Sequence, residues 1–575
     1  MNTSIGSSQD LYKSRFIKRL FLFFHKKRNV LSLFEKRFRI NSNQVIGGLK
    51  AVTSFVILAA MMMIIRGANL TASSAFNPDE AELLALGRRA STSLFNPAAT
   101  VAVATIGPLQ PLLLGLISEI GIQLTLPLAH FMAGLIYVWF GWLGWFYISK
   151  QTGWIKGSIY VLPTSLLIFG LEEDFLSLGT ELIPLTLISI GIFFAFPPSR
   201  DVTHSRFLLG AIFLGSAPWA KPQVFLLSFT VFFVALVRSR SRCIDPAAIR
   251  DSKQYLKGLS YFLPSLIFVF SMVIFGSLNQ FINETLQFNL QYFFNRTSLN
   301  PGIVSKTFSE RIKDFSDFIL RHPTSFLWSL LGVSLVHNNP FSTGEHTARK
   351  FNIEWLAIVI STLITLLLVS PIFGHYANLL YAGLLFAGMI STAEDTRTSI
   401  RSRPLTTPVN PIMLSFFTLA LVISVLTIWP KALTNLESFP RIKQSPPVTS
   451  TLLTSLCPEK RLVSVWGWSA ELYSNYNWKP ASRYVVTNWQ IYPTSKQDYY
   501  RSVYFAELIR GYPTCILDTA NPHFFGGFDE TAALLNVIPE LKPFLEECYT
   551  FQSVNLPGEK LVQVWTKNNL CNQTR

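Results

Sequence analysis

From Val45 onward the chain alternates long apolar runs with short polar loops, a pattern that predicts helices crossing a bilayer rather than a water-solvated core. The runs fall near 45–66, 125–148, 157–170, 181–196, 207–220, 223–237, 258–280, 323–337, 353–371, 375–391 and 410–430. Most are roughly 15 to 22 residues long, near the length that spans hydrocarbon as a helix. They predict about eleven transmembrane helices. The stretch "IGPLQPLLLGLISEIGIQ" is too short and too Pro-interrupted for a comfortable span. It is placed as a helix lying in or near the membrane interface.

The pattern changes beyond residue 430. "RLVSVWGW", "SRYVVTN", "PTCILDT" and "KLVQVWTK" read as short strands. Between them, "SAELYSNYN", "DYYRSVYFAELIRGY" and "DETAALLNVIPELKPFLEECYTF" read as helices. The alternation predicts a small α/β domain with a largely parallel sheet. The fold class is therefore a mostly α polytopic membrane protein carrying a C-terminal α/β domain. Three regions follow: a basic interfacial segment over 1–44, a multi-span domain over 45–430 and the α/β domain over 431–575.

Composition supports the membrane reading. Hydrophobic residues make up 50% of the chain and charged residues only 14%, too little charge to cover a soluble protein of this size. The formal charge of +16 sits in short loops, which fits the positive-inside rule and not a nucleic-acid-binding face. The segment "LYKSRFIKRLFLFFHKKRNVLSLFEKRFRI" reads as a cytoplasmic, interface-lying basic stretch beside anionic lipid; a disordered basic tail is the alternative for its first residues. The first span then runs outward. The basic loop "VRSRSRCIDPAAIRDSKQYLKG" falls inside and the acidic "LEEDFLSLGTE" outside. An odd number of spans places the C-terminal domain outside. Of the five cysteines, Cys457, Cys515, Cys548 and Cys571 lie in that domain, where either a disulfide such as Cys515–Cys548 or buried free thiols would fit.

Candidate chemistry gathers on the same outer side. In "FNPDEAELLALGRRA", Asn77 suits an N-cap, Pro78 the first helical position and Asp79-Glu80 the first turn, with Arg88 and Arg89 at the cationic end. Helix capping alone would explain that stretch. "EEDFLSLGTE" adds Asp174 and Glu181, "SAPWAKPQVF" adds Lys221 and Gln223, and "VSPIFGHYANLLYAGLLF" adds His375 and Tyr376, all at outer ends of spans. So many polar groups at one membrane depth are unfavourable unless they line a polar cavity.

"NPDEAELLALGRR" after the first span, followed by "GPLQPLLLGL", resembles the first outer loop of the GT-C superfamily. These membrane glycosyltransferases use sugars carried on a polyprenyl phosphate; the aminoarabinose and protein O-mannosyl transferases are examples. "DFLSLGTELIPLTLISIG", "APWAKPQ", "FGHYANLLYAGLLFAGM" and "VWGWSAELYSNYNWKPASRYVVTN" resemble further segments of the bacterial members, in order along most of the chain. The resemblance implies a polyprenyl-phosphate-linked sugar as donor, a lipid, glycan or protein as acceptor, and the bacterial plasma membrane as location. It implies Asp79 as the base that takes the acceptor proton, with Glu80 its neighbour or orienter. Lys221 and His375, with Arg88 or Arg89, are then the cations for the leaving phosphate. Asp174, Glu181, Gln223 and Tyr376 line the substrate cavity. Relatives of the aminoarabinose type carry a Lys before the Pro-Pro of the interfacial helix, where this chain has Gly107, so Lys221 gains weight. The outer acids could hold a divalent cation, yet no ligand set has diagnostic spacing.

The runner-up is a transporter or flippase for a lipid-linked amphipathic substrate. Its polar residues should cluster at the bilayer midplane on inverted repeats, and here they cluster at one end without repetition.

Overall fold

The structure, a computed structural model, describes residues 42–72, 75, 77–92, 106–152, 157–158, 161, 173–197, 202–241, 252–294, 308–321, 353–368, 374–392, 450–491, 496–522, 528–556 and 560–568. The chain divides into two compact units, 1–57 and 58–575, and the second holds the candidate residues and the C-terminal sheet.

The apolar runs fold as helices. Ser42–Leu70 covers the first and Leu126–Thr152 the second; Leu182–Ala195, His204–Ala220, Phe225–Ser241, Ile353–Leu368 and Ala377–Thr392 cover later ones. Among the described residues two helices are long and apolar enough to cross a membrane, Leu126–Lys150 and Pro222–Ser239, and five shorter apolar helices accompany them. The runs at 323–337 and 410–430, and most of those at 1–44 and 157–170, lie outside the described residues. The described helices thus account for part of the expected eleven. The run at 258–280 is not one helix: Ser252–Ser260 ends, Pro264 opens Leu263–Ile274, and Gly276 turns the chain at φ +63°. Proline fits the first turn of a helix and cannot continue the previous one, so the run divides there.

Helix packing relies on small residues where backbones approach. A side chain at Gly210 would meet the Gly191 carbonyl at 2.8 Å, and one at Gly191 would meet Leu214 Cγ at 2.6 Å. Only glycine lets Leu182–Ala195 and His204–Ala220 come this close. Large apolar side chains remain exposed on other faces, with Ile64, Leu266, Phe270 and Ile274 all more than half exposed. Such a surface suits hydrocarbon and not water.

The C-terminal domain is a five-stranded sheet in the order β2-β1-β3-β5-β4: β1 Leu462–Trp466, β2 Lys479–Pro480, β3 Cys515–Asp518, β4 Tyr549–Leu556 and β5 Lys560–Lys567. β1 pairs parallel with β2 and β3, while β3–β5 and β5–β4 are antiparallel. The sheet is mixed, which corrects the largely parallel expectation. The cause is β4, hidden at the end of a stretch that reads as helix. In that stretch Pro539 and Pro543 break the helix into short turns, and Lys542–Cys548 ends directly at Tyr549. "SRYVVTN" is buried but lies beyond the two-residue β2 and is not a strand. One face of the sheet packs aromatics (Trp466, Tyr484, Tyr500, Tyr504, Trp565) against Leu534, Leu541 and Leu545. Two of these rings have their polar ends paired: Trp466 Nε1 donates to the Ala532 carbonyl at 2.8 Å, and the Tyr504 hydroxyl lies 2.8 Å from Ser464 Oγ. Cys515 pairs with Cys457 and not with Cys548, and Cys548 is itself disulfide-bonded. Free thiols are thereby replaced by bridges at these three positions.

Candidate active site

Asn77 starts the site. It is extended (φ −137°), and its side-chain oxygen accepts the Asp79 N–H at 2.9 Å, so it caps the helix Pro78–Ala90 as its sequence predicts. The cap has a second use. Asn77 Nδ2 donates to Asp174 Oδ1 at 2.9 Å and lies 3.4 Å from His375 Nδ1. One amide therefore joins three segments distant in sequence.

His375 sits in the 3-10 turn Gly374–Tyr376, ahead of the helix Ala377–Thr392. Its Nε2 lies 3.8 Å from both Asp79 Oδ2 and Glu181 Oε1, and its Nδ1 lies 3.8 Å from Asp174 Oδ1. Three carboxylates face one buried imidazole. Tyr376 is buried beside it, with ring centroids 4.5 Å apart.

Lys221 ends the helix His204–Ala220, where Pro222 stops further α-helix and starts a 3-10 turn. Its ammonium, 1% exposed, forms an ion pair with Glu181 and donates to Thr180 Oγ1 at 2.5 Å. It also lies over the Tyr376 ring, 5.3 Å from the centroid. Among the described residues two of its three donors are thus used within the protein. Gly107 explains how Lys221 gets there. The Gly107 N–H donates to the Ala220 carbonyl at 2.8 Å, and any side chain at 107 would meet the Trp219 carbonyl at 2.2 Å. The space a lysine would need at 107 is filled by the backbone that presents Lys221.

Asp79 and Glu80 are adjacent but face different surroundings. The Asp79 side chain is 30% exposed, and among the described residues its carboxylate has the approach to His375 and no hydrogen bond. Glu80 is fully buried: Oε2 lies 3.0 Å from His130 Nε2 and Oε1 accepts the Leu178 N–H at 2.7 Å. Glu82 lies one turn past Asp79 on the same face. Burial, aided by the Asp79 charge and opposed by Lys221, pushes its carboxyl up to about 8.

Arg88 and Arg89 sit away from the His375 cluster. Arg88 donates to Asn477 Oδ1 at 2.6 Å and to the Leu124 carbonyl; Arg89 donates to the Pro480 carbonyl at 3.3 Å. Their partners are backbone and amide oxygens, and those at Asn477 and Pro480 tie the helix Pro78–Ala90 to the C-terminal region. A second tie runs between side chains. Arg483 lies 2.9 Å from Glu284 and 3.3 Å from Glu507, and Tyr499 donates to Glu284 at 2.8 Å.

Several contributors do not stand out in sequence. His130 lies in the apolar run "LPLAHFMAGL", and Arg66 closes the first apolar run while fully buried, donating to the Phe175 carbonyl at 2.9 Å. A charge or imidazole inside such a run is the available signal. Gln110, which bonds backbone carbonyls, and Thr180, whose hydroxyl accepts from Lys221, carry none. Among the described residues no three His, Cys, Asp or Glu side chains converge at metal-ligand geometry.

No protein-family model and no curated protein matches the chain. Among solved structures, ArnT from Cupriavidus metallidurans, bound to undecaprenyl phosphate, is similar over 89% of this chain and 98% of its own, at 10% identity and a TM-score of 0.50. The Archaeoglobus fulgidus oligosaccharyltransferase AglB, in complex with an inhibitory peptide and a dolichol-phosphate, covers 90% of this chain and 74% of its own, at 11% identity and a TM-score of 0.35. The likeness to ArnT extends over nearly the whole of both chains and gives this chain the fold of that protein.

Proposed function

We propose that the protein is an integral-membrane glycosyltransferase that moves a sugar from a polyprenyl-phosphate donor to a lipid, glycan or protein acceptor. The carrying observation is the Asp79 carboxylate: part-exposed, without a hydrogen bond among the described residues, and 3.8 Å from His375. It is the group in the cluster best placed to take a proton from an entering hydroxyl. The freed oxygen attacks the anomeric carbon, the bond from that carbon to the phosphate oxygen breaks, and the polyprenyl phosphate leaves with one more negative charge. The remaining Lys221 donor and the His375 imidazole are the nearby cations for that charge. Asp174 holds Asn77 and His375 in place, and Tyr376 with Glu181 walls the cavity.

The fold supports this reading, and so does the undecaprenyl phosphate bound in ArnT. On this reading the site opens on the outer side of a bacterial plasma membrane, with residues 1–44 inside, 45–430 in the membrane and 431–575 outside. Disulfide bonding at Cys457 and Cys515 favours an oxidising compartment for that domain. Mass spectrometry of polyprenyl-phosphate sugars and envelope glycans, with and without the gene, tests the function. The expected result is a sugar lipid that accumulates and one glycan that disappears. Unchanged profiles in both fractions would overturn it.

A further inference from the structure

Lys221 stands on a turn that its own helix holds weakly. Pro218, inside the last turn of His204–Ala220, has no N–H for the Leu214 carbonyl, which accepts the Ser228 hydroxyl at 2.5 Å instead. Past Lys221 the chain leaves as the short 3-10 turn Pro222–Val224, which carries the buried Gln223. Support comes from other segments. The Ala220 carbonyl takes the Gln110 amide at 2.9 Å and the Gly107 N–H at 2.8 Å, and the Trp219 indole donates to Ser265 Oγ at 2.9 Å. The Trp219 ring stacks on Phe268, with centroids 4.7 Å apart, and on Phe281, at 5.5 Å.

Phe281 brings a distant element to this turn. It ends the helix Leu278–Phe281, which passes through a π-helical turn, Ile282–Leu286, into the helix Gln287–Phe294. The junction residues Ile282 and Gln287 keep helical dihedrals, so the three pieces form one rod. Beyond Phe281 the rod is fastened to the C-terminal domain. Glu284, fully buried, lies 2.9 Å from Arg483 and accepts the Tyr499 hydroxyl at 2.8 Å. Lys496 donates to the Asn283 carbonyl at 3.3 Å and to Gln287 Oε1. Phe288, 1% exposed, lies in the domain's aromatic core and meets Trp489 edge-on, with centroids 4.6 Å apart. Separating a buried ion pair and a core ring is strongly unfavourable, so the rod keeps its place on the domain.

We infer that the C-terminal domain positions Lys221 for the donor phosphate, through Glu284 at the fastened part of the rod and Phe281 on Trp219. The inference rests on the glycosyltransferase reading, in which Lys221 meets that phosphate. Phe281, Trp219 and Glu284 are positioning residues that act through Lys221. The lysine stem is long and flexible, so the place of its ammonium depends on where the turn is held. Misplacement of a charged group by about 1 Å is enough to lose much of its effect on a bound ligand.

The test uses the purified full chain and two probes with the same tail, polyprenyl phosphate and the corresponding polyprenol. The ratio of their affinities isolates the phosphate contacts. Phe281→Leu keeps the apolar bulk and loses the stack. It should lower that ratio by about fivefold or more, with polyprenol affinity within about twofold of wild type. Phe281→Tyr keeps the ring and should restore the ratio. Glu284→Ala loosens the rod from the domain and should lower the ratio to a similar extent. Glu284→Gln still accepts from Arg483 and Tyr499 and should keep most of it. Combining Phe281→Leu with Glu284→Ala should lose little more than either alone, because both act through one rod. If Glu284→Ala does not fold, Phe288→Leu loosens the same part and carries the same expectation. Variants that lose Tm but keep the wild-type ratio would make these contacts purely structural and overturn the inference. So would a loss confined to Phe281→Leu, because the C-terminal domain would then play no part. A wild type that binds the phosphate lipid no better than the alcohol would instead overturn the glycosyltransferase reading.

Discussion

Glu80 Oε2 lies 3.0 Å from His130 Nε2 with both side chains out of solvent, while the carboxylate of the preceding residue, Asp79, remains partly exposed. Two adjacent acids thus serve different ends. The helix turn between them sends Asp79 toward His375 and Glu80 into the protein, where it holds His130 and the Leu178 N–H. On the proposed function Glu80 is a positioning residue. It fixes the Asp79 helix against the Leu126–Thr152 helix and against the segment carrying Glu181.

Glu80→Ala should therefore act on stability first. It leaves the His130 ring nitrogen and the Leu178 N–H buried without their partner, a loss of about 3–5 kcal/mol for a broken buried pair. Asp79→Asn, on a part-exposed side chain, should change stability by less than about 0.5 kcal/mol. Thermal unfolding of the two purified variants checks this; equal Tm losses would contradict the division.

The Glu82 carboxyl gives stability a pH dependence. Its folded value, about 8, lies above its ordinary value of 4.5, so between those limits the folded chain keeps a proton that the unfolded chain has released. Stability must fall as pH rises through this window. Glu284, pushed up to about 7 by burial against the pull of Arg483, and Asp518, pushed up to about 6 by burial, act in the same direction. Glu82→Gln should flatten the fall of Tm between pH 5 and pH 8.5 without abolishing it. An unchanged slope would contradict the assignment.

Arg88 should behave as a domain tie. Arg88→Ala removes donors to Asn477 and Leu124 and should cost about 2–4 kcal/mol in stability, as for a truncated buried charge. Arg88→Lys cannot reproduce the two-sided fork and should rescue less than half of that loss. Donor affinity of Arg88→Lys should stay within about twofold of wild type, since the side chain does not reach the His375 cluster. A tenfold weaker donor affinity with normal stability would return Arg88 to the phosphate.

How much of this was legible in sequence varies with the kind of interaction. Apolar periodicity places most of the described helices, and Asn77-Pro78 marks the start of the Asp79 helix, because both depend on local chemistry. The convergence of Asp79, Asp174, Glu181, Lys221 and His375 follows from their shared position at span ends, and their spacing in space is as close as that position suggests. Strand β4 is not legible, because "ECYTF" continues an apparent helix and only pairing with β5 makes it extended. The Cys457–Cys515 bridge is set by tertiary contact. Arg88 and Arg89 read as phosphate cations because they follow the acids closely; their hydrogen bonds to Asn477 and Pro480 depend on tertiary contact that no local pattern shows. The empty space at Gly107 is filled by a backbone more than 110 residues away, which no local pattern encodes.

The Cys457–Cys515 disulfide closes a long loop, with a sequence separation of 58. Constraint of that loop in the unfolded chain is worth roughly 2–5 kcal/mol. Cys457→Ser should therefore lower the Tm of the C-terminal domain under oxidising conditions. Under reducing conditions that leave the wild type without this bridge, the two proteins should converge. A variant as stable as wild type in both would show that the bridge does not form.

Single-turnover transfer from a polyprenyl-phosphate sugar, measured with Asp79→Asn alongside donor binding, tests the central claim most directly. Lys221→Ala is less clean, because it strands the buried Glu181 carboxylate and disturbs the fold as well as the phosphate. Asp79→Asn keeps the shape and loses the ability to accept a proton. A catalytic base at this position predicts a loss in the transfer step of about 10²-fold or more with donor affinity nearly unchanged. Transfer at the wild-type rate by Asp79→Asn would contradict it, and the Asp79 helix would then have no assigned role beyond its cap.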